Sequence, residues 1–520
     1  MTQREVTTDY GSGTLLPVCR TRCLQERGGD GLPQHRHEVL RLFGKNTLWL
    51  LLDRAGLKVG AMLAGVVLVG YLGPANVGVY CTAIAVGCLL NALFDLGLTR
   101  YAARAVAATP GAAQSVLALS LTSTVVATLV ELCAAAAAYR TGHWYWTCLC
   151  VGFIFTNLDG TASACGGVLS ADLRSRAVLP GSVLNALGVV GIIALVVRFR
   201  LSVLALLVGL TVKSLIVLLF RLWQLRDFWP SSWNYFAPRA FVRLAKSSWV
   251  FFSYSLTQIG YEKVAIISFG LVADPEHVGL FSAALLIASI FPSFTYAASD
   301  ALLPVMTRLY EAGRIGDLLE LRGRLMNLLL HLSVPIGIAL AVFAPHVCQL
   351  LGNRFVASAM ILRITASRSL LSVLDNFLGQ AGLTAVARVR ERRNAQAMGL
   401  VLCATLTIAL GALWGALGAA VATLLADLFI VSQYFRVYRH IGLRVECPAL
   451  WSSLIAGCAM ALACFVLPNS HWLASAAASL LVYFIVLAAI ARGRLTESAA
   501  TFRQCFIAAP ANTLSNGSTA

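Results

Sequence analysis

The chain predicts an all-α polytopic membrane protein with about fourteen transmembrane helices, and three observations carry that reading. Of its 520 residues, 58% are hydrophobic and only 12% charged, with a mean hydropathy of +0.78, which leaves too little polar surface to solvate a body of this size in water. The apolar residues fall in long solid runs, whereas barrel strands would alternate over roughly ten residues. Lys and Arg crowd into every second gap between the runs.

A helix rising about 1.5 Å per residue needs roughly 20 apolar residues to cross about 30 Å of hydrocarbon, and it satisfies its own backbone on the way. Spans one and two cover 47–71 and 78–99, separated by the Pro74 turn and closed on the far side by Arg100 and Arg104. Spans three and four, 115–138 and 144–168, flank a short loop with Arg140, and Arg174 and Arg176 follow. Spans five and six, 180–197 and 201–222, flank Arg198 and Arg200 and run into the basic segment 221–246. Spans seven and eight, 248–272 and 278–303, turn at Pro275 and lead to the basic stretch 308–324. Spans nine and ten, 326–347 and 357–382, flank Arg354 and end before 388–393. Spans eleven and twelve, 396–413 and 416–435, are divided only by the break from Gly411 to Gly418, and 436–444 follows. Spans thirteen and fourteen, 449–467 and 472–491, end at the basic segment 492–503.

With the N-terminus placed in the cytoplasm, the inner segments hold thirty Lys and Arg and the outer loops four, Arg140, Arg198, Arg200 and Arg354. This positive-inside asymmetry predicts that both termini are cytoplasmic. The net charge of +17 is then a topology signal with some attraction to anionic head groups, and it needs no nucleic-acid partner. The tails 1–45 and 492–520 are expected to be disordered, and residues 1–45 lack the apolar core of a secretory signal. Most of the fourteen cysteines sit in spans, no CxxC occurs, and neither a metal nor another cofactor is expected.

Shifting the sequence by 201 residues lays span seven on span one and span eight on span two. Pro74-Ala75-Asn76-Val77-Gly78-Val79-Tyr80 then meets Pro275-Glu276-His277-Val278-Gly279-Leu280-Phe281. Pro fixes φ for a helix start and Gly permits close approach. Parallel repeats of this kind are related by an axis along the membrane normal and place a transport site at their interface. The expected organisation is an N-lobe over 46–222 (helices 1–6), a cytoplasmic linker over 223–247, a C-lobe over 248–440 (helices 7–12) and two further helices over 441–491.

Six cations fall inside spans, and intramembrane charge costs at least about 2.5 kcal/mol, so such residues face protein or water. Arg54 and Lys58 share a stripe with Met62, and Lys263 maps onto position 62 under the repeat. With Lys213 and Arg368 they are candidates for a cationic cavity that holds a phosphate or pyrophosphate, Arg in bidentate fashion and Lys as a point charge. Plainer alternatives stand beside these: Arg54 could snorkel or pair with Asp53 or another carboxylate, Arg363 near an outer end could snorkel, Lys263 could be neutralised by a carboxylate, and the facing of the deep Lys213 and Arg368 is not fixed by the sequence. Arg100 and Arg104 are topology determinants that could also meet a head group on entry. Among the acids Glu131, Asp159, Glu262, Asp375 and Asp427, the candidates for ion coupling are Glu262, Asp159 and Asp427, which could equally balance the cations.

Tyr71-Leu72-Gly73-Pro74-Ala75-Asn76-Val77-Gly78-Val79-Tyr80, followed by Asp95-Leu96-Gly97-Leu98 and Arg104, resembles the opening of the polysaccharide biosynthesis transporters. These are the Wzx-type flippases of the multidrug/oligosaccharidyl-lipid/polysaccharide (MOP) exporter superfamily. Val278 to Ala284, Gly352-Asn353-Arg354-Phe355 and Gly415 to Ala420 are similar to that family's later turns in order and spacing, so the resemblance covers about 40–445. It implies two six-helix lobes working by alternating access. It also implies a bacterial inner-membrane location and an undecaprenyl-diphosphate-linked oligosaccharide as cargo, a repeat unit of O-antigen, capsule or exopolysaccharide. The diphosphate-sugar portion would lie in a central cationic cavity and the tail in the lipid, with other glycan-assembly membrane proteins as candidate partners. One departure is that members often carry a lone acid in span seven, whereas Glu262 here adjoins Lys263.

The competing readings are export of a drug or other amphiphile by the same fold and, from another class, a membrane polysaccharide polymerase or ligase. Cationic drugs favour an acidic cavity, and assembly enzymes carry a sizeable outer loop with catalytic Arg or His, which is lacking here. No Gly-rich phosphate loop ending in Gly-Lys-Ser/Thr is present, so direct use of ATP is unsupported and a transporter, not an enzyme, is expected.

Overall fold

The computed structural model describes residues 57–98, 101, 112–171, 175–226, 238–443, 445, 448–466 and 472–502. Most of the expected tails and the middle of the expected linker lie outside these residues. The described part is helical throughout, with no strand among the described residues. The first half comprises α1 (Leu57–Leu72), α2 (Pro74–Asp95), α3 (Ala112–Arg140), α4 (Trp144–Ala171), α5 (Ser175–Phe199) and α6 (Val203–Gln224). The second half begins with α7 (Pro238–Gly270), α8 (Pro275–Ala288), α9 (Ile290–Glu311) and α10 (Ile315–Val342). The short α11 (Ala344–Leu350), a 3₁₀ turn (Asn353–Ser358), α12 (Ala359–Thr365) and α13 (Arg368–Leu374) follow, then a π-helical segment (Asp375–Leu383). The 52-residue α14 (Val389–His440), α15 (Pro448–Val466) and α16 (Trp472–Phe502) complete the chain.

Local chemistry sets the helix limits. Gly73, at φ 75°, turns the chain into α2, where Pro74 occupies the first turn with its fixed φ and a missing N–H that would have had no helical partner. Leu96 and Gly97, at φ 49° and 73°, end α2 in left-handed geometry. Ser202 caps α6 by accepting a hydrogen bond from the Ala205 N–H at 3.3 Å. Between α8 and α9 the axis bends by 47° at Ser289. A continuous helix of 52 residues would be about 78 Å long, more than twice the hydrocarbon thickness. Gly415, at φ 59° and ψ −140°, interrupts α14 between the regions expected as spans eleven and twelve.

Ten helices among the described residues are long and apolar enough to cross a membrane, eleven with the bent α8–α9 pair. α14 enters that number once although it contains two of the expected spans. Several helices start earlier than the apolar runs: α7 at Pro238, α10 at Ile315 and α14 at Val389. These extensions carry Arg-containing turns, because a helix does not end where the hydrocarbon does. Arg322 of the α10 extension and Arg392 of the α14 extension are 2% exposed, so these two extensions pack as part of the bundle.

The central core joins the two halves, with Val77 and Ala83 of α2 against Val278, Phe281 and Ala284 of α8. A second core fills the C-terminal half around Met326, Leu330, Phe377 and Tyr434, and a third fills the N-terminal half around Leu117, Cys165 and Leu218. α15 and α16 attach to α10 through Met460, Tyr483 and Val334. Outward-facing Leu413, Trp451, Phe465 and Val466 are all more than 60% exposed, an apolar surface suited to lipid.

Candidate functional site

A cavity of about 490 Å³ opens inside the C-terminal half. α7 contributes Gln258, Tyr261, Glu262 and Lys263, and the α8–α9 bend contributes Ser289, Ser293 and Tyr296. Arg368 opens α13 and Asp375 lies seven residues on, close to two turns, which puts both on one helix face. Arg392 and Gln396 come from the first part of α14 and Asp427 from the second, so the break at Gly415 lets both parts of α14 line one space.

The centre of the site is a three-residue cluster. Arg368 donates through Nε to Asp427 Oδ2 at 2.7 Å, and the Tyr261 hydroxyl donates to Asp427 Oδ1. Each carboxylate oxygen thus has its own donor, which meets the requirement for holding a charge away from water. Asp427 is 11% exposed and Arg368 31%, so the carboxylate is the buried member and the guanidinium reaches the cavity. Arg368 has five N–H donors, and this bond uses one of them. On the wall, Asn376 donates to Thr295 at 2.9 Å. Arg392 lies over the Tyr254 ring at 5.0 Å, a cation–π contact, and beside Tyr434. Lys263 is half-buried, within electrostatic reach of Cys81 and Cys88 on α2, and neither it nor the exposed Glu262 has an ion-pair partner among the described residues.

The sequence-predicted residues therefore separate into groups. Lys263, Glu262, Arg368 and Asp427 line one cavity. Lys213 and Asp159 pair with each other in the N-terminal half at 3.1 Å, and Lys213 also donates to Asn185 at 2.5 Å and lies over Phe155. With Lys213 only 5% exposed and its ammonium engaged by two oxygens, this pair has the geometry of a packing contact between α4, α5 and α6. Lys58 is in the first turn of α1, with its side chain outside the described part; Arg54, Arg100 and Arg104 also lie outside it. The lining is mixed in charge where a basic wall was expected, with Lys263, Arg368 and Arg392 facing Glu262, Asp375 and Asp427.

Arg392 escaped sequence reasoning because it belongs to a run of four arginines between residues 388 and 393 that reads as a topology signal. The sign of its inward facing was present nonetheless: Arg392, Gln396, Gly399, Cys403 and Thr407 recur at helical spacing and form the buried stripe of α14. Among the described residues no group of three or more His, Cys, Asp or Glu could hold a metal ion.

The chain is thus a multi-pass bundle of long apolar helices that enclose a polar, ion-paired cavity. The model of the polysaccharide biosynthesis protein family matches residues 43–310, and the chain belongs to that family. No curated protein matches it in sequence. Among solved structures, the lipid II flippase MurJ in an inward closed conformation superposes with a TM-score of 0.63 at 12% identity, over 86% of this chain and 98% of that one. A MATE structure in complex with MaD3S superposes with a TM-score of 0.50 at 16% identity, over 77% of this chain and 99% of that one. At these identities the likeness is one of fold.

Proposed function

We propose that this protein carries an undecaprenyl-diphosphate-linked oligosaccharide, a repeat unit of a surface polysaccharide, across the bacterial inner membrane by alternating access, with both termini in the cytoplasm. The observation that carries the reading is Arg368, a guanidinium anchored through Nε inside a membrane-embedded cavity and able to turn further donors toward an anion. Lys263 supplies a second cation on the side facing α2. The diphosphate is the group these cations suit, since Arg binds a phosphate bidentately while Lys adds a mobile point charge. The lipid tail stays in the bilayer, so the protein transports only the polar end and makes or breaks no covalent bond. Lys58, Arg54, Arg100 and Arg104 extend the same role to the N-terminal half, and the tethered Asp427 and the unpaired Glu262 are the acids best situated for a coupling ion. Lys213 and Asp159 act as a strut.

The three acids in the cavity favour a second reading, export of a cationic amphiphile, and one experiment separates the two. In cells lacking the protein and any redundant flippase, undecaprenyl-diphosphate-linked glycan is scored for accessibility to an externally added glycan probe in spheroplasts. Inaccessible lipid-linked units that the wild-type chain restores to the outer leaflet, and an Arg368→Gln chain does not, support the flippase. Normal externalisation with loss of drug resistance supports the exporter.

A further inference from the structure

The two copies of the Pro-x-x-Val-Gly motif meet in the structure. A Cβ built on Gly78 would lie 1.7 Å from the Pro275 carbonyl oxygen, and one built on Gly279 would lie 1.8 Å from the Pro74 carbonyl oxygen. Each would also sit 3.0 Å from the other glycine's nitrogen. The contact is reciprocal and backbone to backbone, so no side-chain adjustment could relieve a substitution. Beyond the helix starts, the same packing continues in the core through Val77, Val79, Val278 and Phe281.

The opposite end of α2 holds a second contact of the same type. Gly97, at φ 73°, lies against α7, where an added Cβ would fall 2.3 Å from the Phe252 nitrogen and 2.6 Å from the Phe251 carbonyl carbon. At the two α7 glycines between these ends the approach of α2 is looser and made by side chains: a Cβ on Gly270 would be 3.6 Å from Thr82, and one on Gly260 would be 3.9 Å from Leu89. Lys263 lies within electrostatic reach of Cys81 and Cys88 in this middle stretch. Among the glycines at the contacts of α2 with α7 and α8, the closest approaches are thus at the two ends of α2, backbone to backbone in each case.

We propose that α2 is a double-ended latch between the two halves of the bundle, in which Gly78 and Gly279 permit closure at the Pro74–Pro275 end and Gly97 permits closure at the other. An access path along Lys263 opens when one contact parts while the other holds. A real Cβ essentially never lies under 3.0 Å from a heavy atom, so alanine at either glycine of the first contact requires the helices to separate by more than 1 Å there. That biases the bundle toward opening at that end, and alanine at Gly97 biases it toward opening at the other.

Amide hydrogen exchange on the full chain in lipid nanodiscs, with no cargo present, reads both ends at once and is independent of the cargo assignment. Gly78→Ala and Gly279→Ala are each expected to raise exchange in 74–80 and 275–281 by about tenfold or more, while 95–98 and 250–255 change by less than about twofold. Gly97→Ala is expected to give the mirrored pattern. Since the first two substitutions disturb one contact, their double variant should exceed either single by less than about twofold. Exchange that rises at both ends in any single variant, or at neither, overturns the proposal. So does loss of monodisperse protein in all three variants, because a latch has to part without unfolding the bundle.

Discussion

Replacing Asp427 by Asn tests the central cluster and the role given to Arg368. The Arg368–Asp427 contact is 2.7 Å, which at an effective dielectric constant of about 20 corresponds to a gross attraction of about 6 kcal/mol, most of it offset by desolvation of both groups. Removing one member of a fully buried pair typically costs about 3–5 kcal/mol; water reaches the 31% exposed guanidinium, so a loss of about 1–3 kcal/mol is expected here. Asn retains an acceptor for one of the two donors but not the charge, which separates the electrostatic part from shape. The assay is a double-mutant cycle on thermal unfolding of the purified protein, using Asp427→Asn, Arg368→Gln and the double variant. A coupling energy of about 1–3 kcal/mol is expected, with the double variant more stable than Asp427→Asn alone and defective in transport all the same. Arg368→Lys adds a sharper test. Lysine keeps the charge on a single nitrogen, so it can serve Asp427 or an anion but cannot present a planar fork beyond the tether. Transport affinity should fall about tenfold or more with stability nearly unchanged. A coupling energy within about 0.3 kcal/mol of zero, or wild-type transport by Arg368→Gln, would refute the reasoning.

Lys263→Ala should lower transport without reducing the amount of protein in the membrane, since this ammonium has no ion-pair partner to lose among the described residues; the Lys58→Ala, Lys263→Ala double variant should be weaker still, and normal flux in that variant argues against a cationic path. Lys213→Met should behave in the opposite way, as a stability defect that Asp159→Asn partly repairs, with transport per folded molecule preserved; thermal unfolding and flux measured on the same preparations distinguish the two lysines. Gly415→Ala places a side chain at φ 59° and ψ −140°, a region that favours glycine, and should cost about 1–3 kcal/mol in thermal unfolding although the site faces open space.

The all-helical, multi-pass character and most of the long apolar helices were legible because hydrocarbon thickness imposes a length and a composition on each of them. Their ends were less so: hydropathy stops at the membrane edge, while α7, α10 and α14 continue as helices whose arginines are masked by the topology signal. Arg392 illustrates the loss, reading as one of four loop cations and proving 2% exposed on the cavity wall. Pairing was the other gap. Lys213 and Arg368 look alike in sequence, each a deep cation in an apolar run, and only the fold brings Asp159, 54 residues away, to one and Asp427, 59 residues away, to the other. Side-chain pairing over such separations has no local signature. Helix breaks inside a span are equally silent, as the bend at Ser289 shows, since Ser is compatible with either a straight or a bent helix in lipid.

The two halves share a short sequence motif more closely than a chemistry. Each half holds a part-buried acid–base pair between two of its helices, Asp159 of α4 with Lys213 of α6 and Arg368 of α13 with Asp427 of α14, and the order of the signs along the chain is exchanged between them. Both arrangements neutralise a costly intramembrane charge equally well, which explains why either order is compatible with a stable bundle. They differ in what the cation can do afterwards. Lys213 is 5% exposed and engaged by two oxygens, whereas Arg368 is 31% exposed, tethered by one nitrogen, and lines a cavity. The glycines that bring α2 against α8 tolerate no such divergence, because their contact is between backbones and any side chain breaks it. The ion pair that lines the described cavity thus lies in the C-terminal half, while the contact between halves is made by the matched Pro-x-x-Val-Gly motif read in the sequence.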